Sequence, residues 1–322
     1  MMGGDVLRFD GKVVVVTGAG RGIGRSLALA FASRGASVIV NDNGVDPVGG
    51  GGSADPANAV AEEIRSGGGI AVVSTASVAD PMGAASIIAR AEARFGRIDA
   101  LVNNAGIQFR QELDDLDEPM FRKHIDVHLM GTYRLCRQAW PHLVRTNGRI
   151  VNTVSGLLLG MAGYCAYGAA KGGIFGFSRS LAVEGRQAGV GVNCVAPGAA
   201  TRLMTAAMGD IPDNAAAELV RALPPSDAAE LVVYLSHQDC RLQGECLTVA
   251  GGRISRYVLA ETQGIRFERL SAEAVAARIS AIVNDDRLDI WSDTTASLAN
   301  SGSPEALNLL PPVPHTAESG QA

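Results

Sequence analysis

Short β-branched runs alternate along the chain with longer alanine-rich stretches. The runs are KVVVVT at 12–17, ASVIVND at 36–42, IAVVST at 70–75, IDALVNN at 98–104, RIVNTVS at 149–155, VGVNCVA at 190–196 and CLTVA at 246–250. Each is rich in β-branched and apolar residues and reads as a plausible buried strand. The stretches between them have helical length, and such alternation implies right-handed crossovers and a parallel sheet covered on both sides. The expected fold class is α/β, a doubly wound parallel seven-stranded sheet. No linker interrupts it, so residues 10–258 form a single domain. A C-terminal helical extension follows over 259–299, where SAEAVAARISAIVN at 271–284 offers a serine N-cap and helical apolar spacing. Residues 300–322, with LLPPVPHTAESGQA, read as a flexible tail.

The turn after the first run carries chemistry. VVVVTGAGRGIGRSLALAF passes from strand through Gly18, Gly20, Gly22 and Gly24 into an amphipathic helix. Glycines there let backbone amides approach a pyrophosphate, whose charge is favoured at the helix N-terminus. In this setting the turn predicts a dinucleotide site of the Rossmann type, with Gly18, Arg21, Gly22, Ile23 and Gly24 against the cofactor. The second run ends at Asp42, where a carboxylate accepts from the adenosine ribose hydroxyls and repels a 2′-phosphate. NAD is therefore expected rather than NADP. Asp42 also suits a plainer role, capping the glycine-rich loop that follows it, and Arg21 pulls the other way by its charge.

Further on, YCAYGAAK sets two tyrosines before Lys171. A phenol has an ordinary pKa of about 10 and is a poor base at neutral pH without a cation beside it. Residues four apart share a helix face, which selects Tyr167 over Tyr164 as the partner of Lys171.

Composition narrows the partners. With 47% apolar and 19% charged residues the 322-residue chain can bury a substantial core, and a net charge of −5 without a dense basic run argues against nucleic acid or an anionic membrane. No signal core or transmembrane run is present, so a cytoplasmic location is expected. Five cysteines without paired spacing signal neither a disulfide framework nor zinc, and the acidic run ELDDLDEP at 112–119 reads as a solvated helix start, so no metal is expected.

Together TGAGRGIG, NNAG at 103–106, Ser155 at a strand end, the Tyr167/Lys171 pair and PG at 197–198 resemble the short-chain dehydrogenases/reductases. The resemblance covers about residues 10 to 252. It implies that Asn104, Ala105 and Gly106 line the adenosine side of the cofactor, with Ser77 and Val78 nearby. It further implies that Pro197, Gly198, Ala200 and Thr201 hold the nicotinamide amide. Tyr167 then moves a proton to or from the substrate oxygen, Ser155 hydrogen-bonds that oxygen, and the Lys171 ammonium lowers the phenol pKa and holds the nicotinamide ribose. Two departures stand out. Ser155 precedes Tyr167 by twelve residues, one fewer than usual, and His128 stands where the family has a relay asparagine. His128 either packs the core or joins the proton relay.

The insertion after Asp42, VIVNDNGVDPVGGGGSADPANAVAEEIRSGGG at 38–69, is similar to that of the hydroxyacyl-CoA dehydrogenase branch found in peroxisomal multifunctional enzymes of type two. This implies interconversion of a 3-hydroxyacyl thioester and its 3-oxo form; a steroid, another cyclic secondary alcohol or an acyl-carrier-protein thioester stays open as the substrate. A non-catalytic NAD-binding regulator would tend to lack the Ser155, Tyr167 and Lys171 set, and an enoyl reductase would space the last two more widely. Leu203, Met204 and Met208 give the segment at 199–226 an apolar face that suits either a substrate or the packing of a short helix, and Arg202, Arg253 and Arg256 are either candidates for a CoA phosphate or plain surface charges. In the family the equivalents of helices 120–145 and 164–187 form a two-fold interface, so the resemblance implies a homodimer or homotetramer.

Overall fold

In this computed structural model residues 6–204 and 212–294 are described. Met208 and residues 300–322, named above, lie outside them. The seven runs all form strands: β1 (Val13–Thr17), β2 (Ser37–Asn41), β3 (Ile70–Ser74), β4 (Ala100–Asn103), β5 (Arg149–Thr153), β6 (Gly191–Pro197) and β7 (Cys246–Ala250). They pair in parallel in the order β3-β2-β1-β4-β5-β6-β7, so the direction of winding reverses beside β1. An eighth strand, β8 (Arg253–Tyr257), adds antiparallel to β7 at the edge. The seven-stranded expectation thus becomes eight, because Gly251 and Gly252, with φ of 54° and 74°, supply the left-handed backbone of a tight hairpin.

The helices on the two faces are α1 (Gly22–Ala32), α2 (Asp55–Ser66), α3 (Pro81–Phe95), α4 (Glu118–His124), α5 (Gly131–Thr146), α6 (Cys165–Ala188), α7 (Asp213–Ala222) and α8 (Pro225–Ser236). Local chemistry sets their ends. Asp80 caps α3 by accepting from the amides of Met82 and Gly83, Pro81 occupies its first turn, and Gly96 ends it at φ 70°. Both sheet faces are dry: Val14, Val16, Leu27 and Phe31 pack one side. Val15, Ile39, Ile87 and Leu101 pack the other. Because β1 is buried on both faces, each of its alternating valines lies in a core, which is what holds the glycine turn at its carboxyl end.

Between α4 and α5 the chain does not break. Ile125–Met130 continues as a π-helical turn, an insertion that rotates the face presented by the residues around it.

Residues up to Tyr257 form one compact unit and those from Val258 a second. The second contains β9 (Ala260–Thr262) paired antiparallel with β10 (Leu288–Ile290), and α9 (Ala272–Val283), which is capped by the Ser271 hydroxyl.

Candidate active site

The carboxyl ends of β1, β2, β4, β5 and β6 open into one cavity of about 970 Å³. Crevices of this kind lie where the winding of an open α/β sheet reverses. At its β1 end Gly18 has φ 63°, and a Cβ there would come within 2.8 Å of the Ala105 Cα. A side chain on Gly24 would strike the Gly18 carbonyl, and one on Gly22 would come within 3.2 Å of Thr201. The turn is therefore closed to anything but glycine at these points. No side chain caps α1 at Arg21, so the first amides of this helix remain open toward the cavity. An uncapped N-terminus behind a glycine cradle fits a dinucleotide diphosphate.

Asp42 sits beside this cradle. One carboxylate oxygen accepts from the Gly20 amide at 2.8 Å and the other from Gly44 at 2.7 Å. The capping role weighed for it is real, and its remaining lone pairs still face the cavity that it lines. Asn104 also has structural work: its side chain donates to the Thr17 carbonyl at 2.9 Å, and the Asn104 and Ala105 amides donate to the Thr17 hydroxyl at 3.1 Å. These bonds bind the ends of β1 and β4 into a single rim. Ser77, Val78, Pro197, Gly198 and Thr201 complete this part of the wall. Ala200 does not reach it: the residue is 5% exposed, and its amide donates to the Leu223 carbonyl at 2.8 Å.

At the other end Ser155, Tyr167, Lys171 and His128 converge. Tyr167 and Lys171 lie one turn apart on the buried face of α6, with the Lys171 Nζ 5.6 Å from the Tyr167 ring centre. Lys171 donates to the Thr153 carbonyl at 2.7 Å, which aims its stem toward the end of β5. Ser155 lies two residues past the end of that strand, its hydroxyl accepts from the Leu157 amide at 3.2 Å, and its hydrogen bonding to Tyr167 lowers the pKa of that phenol. The shortened twelve-residue loop therefore still joins them, because Gly156–Leu159 tightens into a 3₁₀ turn.

The electrostatics of the pair differ from the expectation. Burial pushes the Tyr167 phenol up to about 12, with the Ser155 hydrogen bond pulling partly back. Burial likewise brings Lys171 down to about 7. Removing water penalises phenolate and ammonium alike, and that cost exceeds their mutual attraction here. The protein alone thus holds a neutral phenol poised as an acid.

His128 is set in the π-helical turn, 1% exposed, with its ring 5.2 Å from that of Tyr167 at 82°. Its Nε2 lies 2.8 Å from the Ile107 carbonyl and 3.3 Å from the Ile107 amide, and its Nδ1 is buried with no partner. Burial, then the charge of Lys171, keeps the imidazole pKa well below its ordinary value. The glycine of NNAG explains itself here: a Cβ on Gly106 would come within 2.5 Å of the His128 ring.

Three features escaped sequence reading. His124, one turn before His128, lies nearly parallel to it at 6.0 Å and edge-on to Tyr167, with burial bringing its pKa to about 4. Tyr164, passed over in favour of Tyr167, lines the cavity as well. The glycine-rich insertion forms a strap: the Val45 carbonyl accepts from Arg202 at 3.0 Å and the Pro47 carbonyl from the Gln108 amide at 2.9 Å. Arg202 thus belongs to the dinucleotide side, while Arg253 and Arg256 lie on β8 outside the cavity wall, Arg256 facing Glu245 at 3.3 Å. Only periodic faces and short motifs are visible in sequence, and these contacts join segments far apart in it.

A doubly wound sheet with a glycine cradle at one end of the cavity and a serine, tyrosine and lysine cluster at the other defines a nucleotide-dependent oxidoreductase. The sequence profile of the short chain dehydrogenase family matches residues 12–211, and the chain belongs to that family. It is 37% identical to peroxisomal multifunctional enzyme type 2 of Mus musculus over 94% of this chain and 39% of the relative, so it spans less than half the length of that protein. It is 35% identical over 75% of its length to a (2S)-[(R)-hydroxy(phenyl)methyl]succinyl-CoA dehydrogenase subunit of Thauera aromatica, 96% of which is covered. Among solved structures, a short chain dehydrogenase from Mycobacterium avium superposes with a TM-score of 0.73 at 36% identity, covering 86% of this chain and 96% of that one.

Proposed function

We propose that the protein is an NAD-dependent dehydrogenase interconverting a 3-hydroxyacyl thioester and its 3-oxo form. The observation that carries the chemistry is the Ser155, Tyr167 and Lys171 cluster, buried at one end of a cavity whose other end is a glycine cradle. The bound nicotinamide supplies the hydride acceptor or donor. Gly18, Gly22 and Gly24 leave room for the diphosphate, and Asp42 receives ribose hydroxyls with the lone pairs that its amide contacts leave free. The carboxylate charge is the reason NAD is preferred to NADP.

At the reacting centre Ser155 hydrogen-bonds the substrate oxygen and steadies the charge that gathers on it. Tyr167 gives its proton to that oxygen in reduction and takes it back in oxidation. With the phenol pushed up to about 12, proton donation needs no prior ionisation and proton removal gains from alkaline conditions. Lys171, held by Thr153, stabilises the phenolate as long as its amine keeps its proton. His128 braces the Tyr167 ring edge-on, with its Nδ1 sealed in protein.

The acyl thioester is supported by two relatives. The Thauera dehydrogenase, covered almost end to end, is named for a hydroxyl-bearing acyl-CoA, and the mouse relative carries the branch whose insertion this chain resembles. Leu157, Met161, Leu203 and Met204 in the cavity wall suit an acyl chain. The test is a panel of 3-hydroxyacyl-CoA esters, steroids and simple secondary alcohols with NAD, following reduced nicotinamide by absorbance. The CoA esters are expected to show the highest kcat/KM; turnover of steroids alone would overturn the substrate reading.

A further inference from the structure

Tyr164 is a buried phenol with nothing to bind. It is 7% exposed, and among the described residues its hydroxyl has no hydrogen-bond partner. A buried tyrosine ordinarily finds one. Its oxygen is not among the polar atoms sealed in protein without a partner, so it reaches open space. Tyr164 lines the main cavity, whereas the small hollow behind Tyr167, which it also borders, has essentially no room for water.

The place of Tyr164 on the helix says what it could meet. It is the residue just before α6, three positions ahead of Tyr167, and residues three apart share a face. The rings of the two tyrosines are 6.4 Å apart at 74°. Lys171, Tyr167 and Tyr164 therefore follow one another along one side of the helix start, Tyr164 roughly 5 Å further along the axis than Tyr167. Leu157 and Met161 flank it in the wall. A substrate whose reacting oxygen sits between Ser155 and Tyr167 would meet Tyr164 next, in apolar surroundings where a single donor has large influence.

We propose that Tyr164 is a specificity-determining residue whose hydroxyl donates a hydrogen bond to the thioester carbonyl, the oxygen 1,3-related to the one being reduced or formed. The inference rests on the acyl-thioester reading and extends it. A ketone with no second oxygen leaves this phenol unpaired, and sites built around such a bond discriminate strongly against ligands that lack the group.

The experiment compares wild type with Tyr164→Phe, using NADH to reduce acetoacetyl-CoA and, as the monofunctional probe, cyclohexanone. The expected result is a fall of about tenfold to a hundredfold in kcat/KM for acetoacetyl-CoA, the size of one lost hydrogen bond in a dry site. Cyclohexanone reduction, NADH affinity and Tm stay as in wild type. Equal kcat/KM for acetoacetyl-CoA in both proteins overturns the role of Tyr164 and leaves the substrate reading standing. So does an equal fall on both ketones, which marks a general packing role. Wild-type enzyme that reduces cyclohexanone and ignores acetoacetyl-CoA overturns the substrate reading and this inference with it.

Discussion

The two ends of the cavity are built from different materials. At the cofactor end the working groups are backbone: glycines that clear space, the open amides of α1, and a rim stitched by Thr17, Asn104 and Ala105. At the substrate end they are side chains on α6 and on the π-helical turn, crowded so tightly that burial dominates their ionisation. The cofactor end relies on shape. The substrate end relies on the placement of buried side chains, so losing one atom there has larger consequences for turnover.

Tyr167→Phe should give the largest effect. Removing the hydroxyl deletes proton transfer and leaves packing intact, so kcat is expected to fall by about a thousandfold while NADH affinity by fluorescence titration is unchanged. A variant within a few-fold of wild type would remove Tyr167 from the chemistry and dissolve the contrast between the two ends.

Asp42→Asn probes the cofactor end. The amide cannot keep both contacts with Gly20 and Gly44, and it no longer repels a 2′-phosphate. The ratio of kcat/KM for NAD to that for NADP is expected to drop about tenfold, mainly through KM. A shift confined to kcat would mean that Asp42 acts on the reacting end instead.

Lys171→Met tests the cost of burying charge, with an effect on stability of a few degrees. Lys171 falls from 10.5 to about 7 on folding, so between those values the unfolded chain carries a proton that the folded chain does not. Stability from this group therefore rises with pH through that window and is lowest below it. Tyr167 acts in the opposite sense only above its unfolded value of 10.0, since the phenol stays protonated in the fold up to about 12. Wild-type Tm is expected to climb from pH 7 to 9, and the methionine variant, inactive, to start higher at pH 7 and lose the slope. Each kcal/mol corresponds to about 2–4 °C for a domain of this size. An identical slope in the variant would show that Lys171 remains charged in the folded protein.

The sheet was legible because seven short β-branched runs alternating with helical stretches admit few other arrangements, and the glycine turn because its spacing relates neighbours in sequence. Ser155, Tyr167 and Lys171 were legible through the four-residue step of a helix and the resemblance it completes. The eighth strand was not, since RISRY is too polar to read as a strand until β7 offers it an edge. Ala200 was placed by the family pattern and sits behind the wall, held by Leu223.

By itself, then, the sequence determined which residues are buried together in strands and helices and which glycines clear a path for a diphosphate, because those properties are periodic and local. Only the tertiary structure decided that His124, His128 and Tyr164 crowd around one phenol, that the strap reaches Arg202 and Gln108, and that burial rather than charge governs the Tyr167 and Lys171 pair. Desolvation depends on every neighbour at once, and no spacing along the chain encodes it.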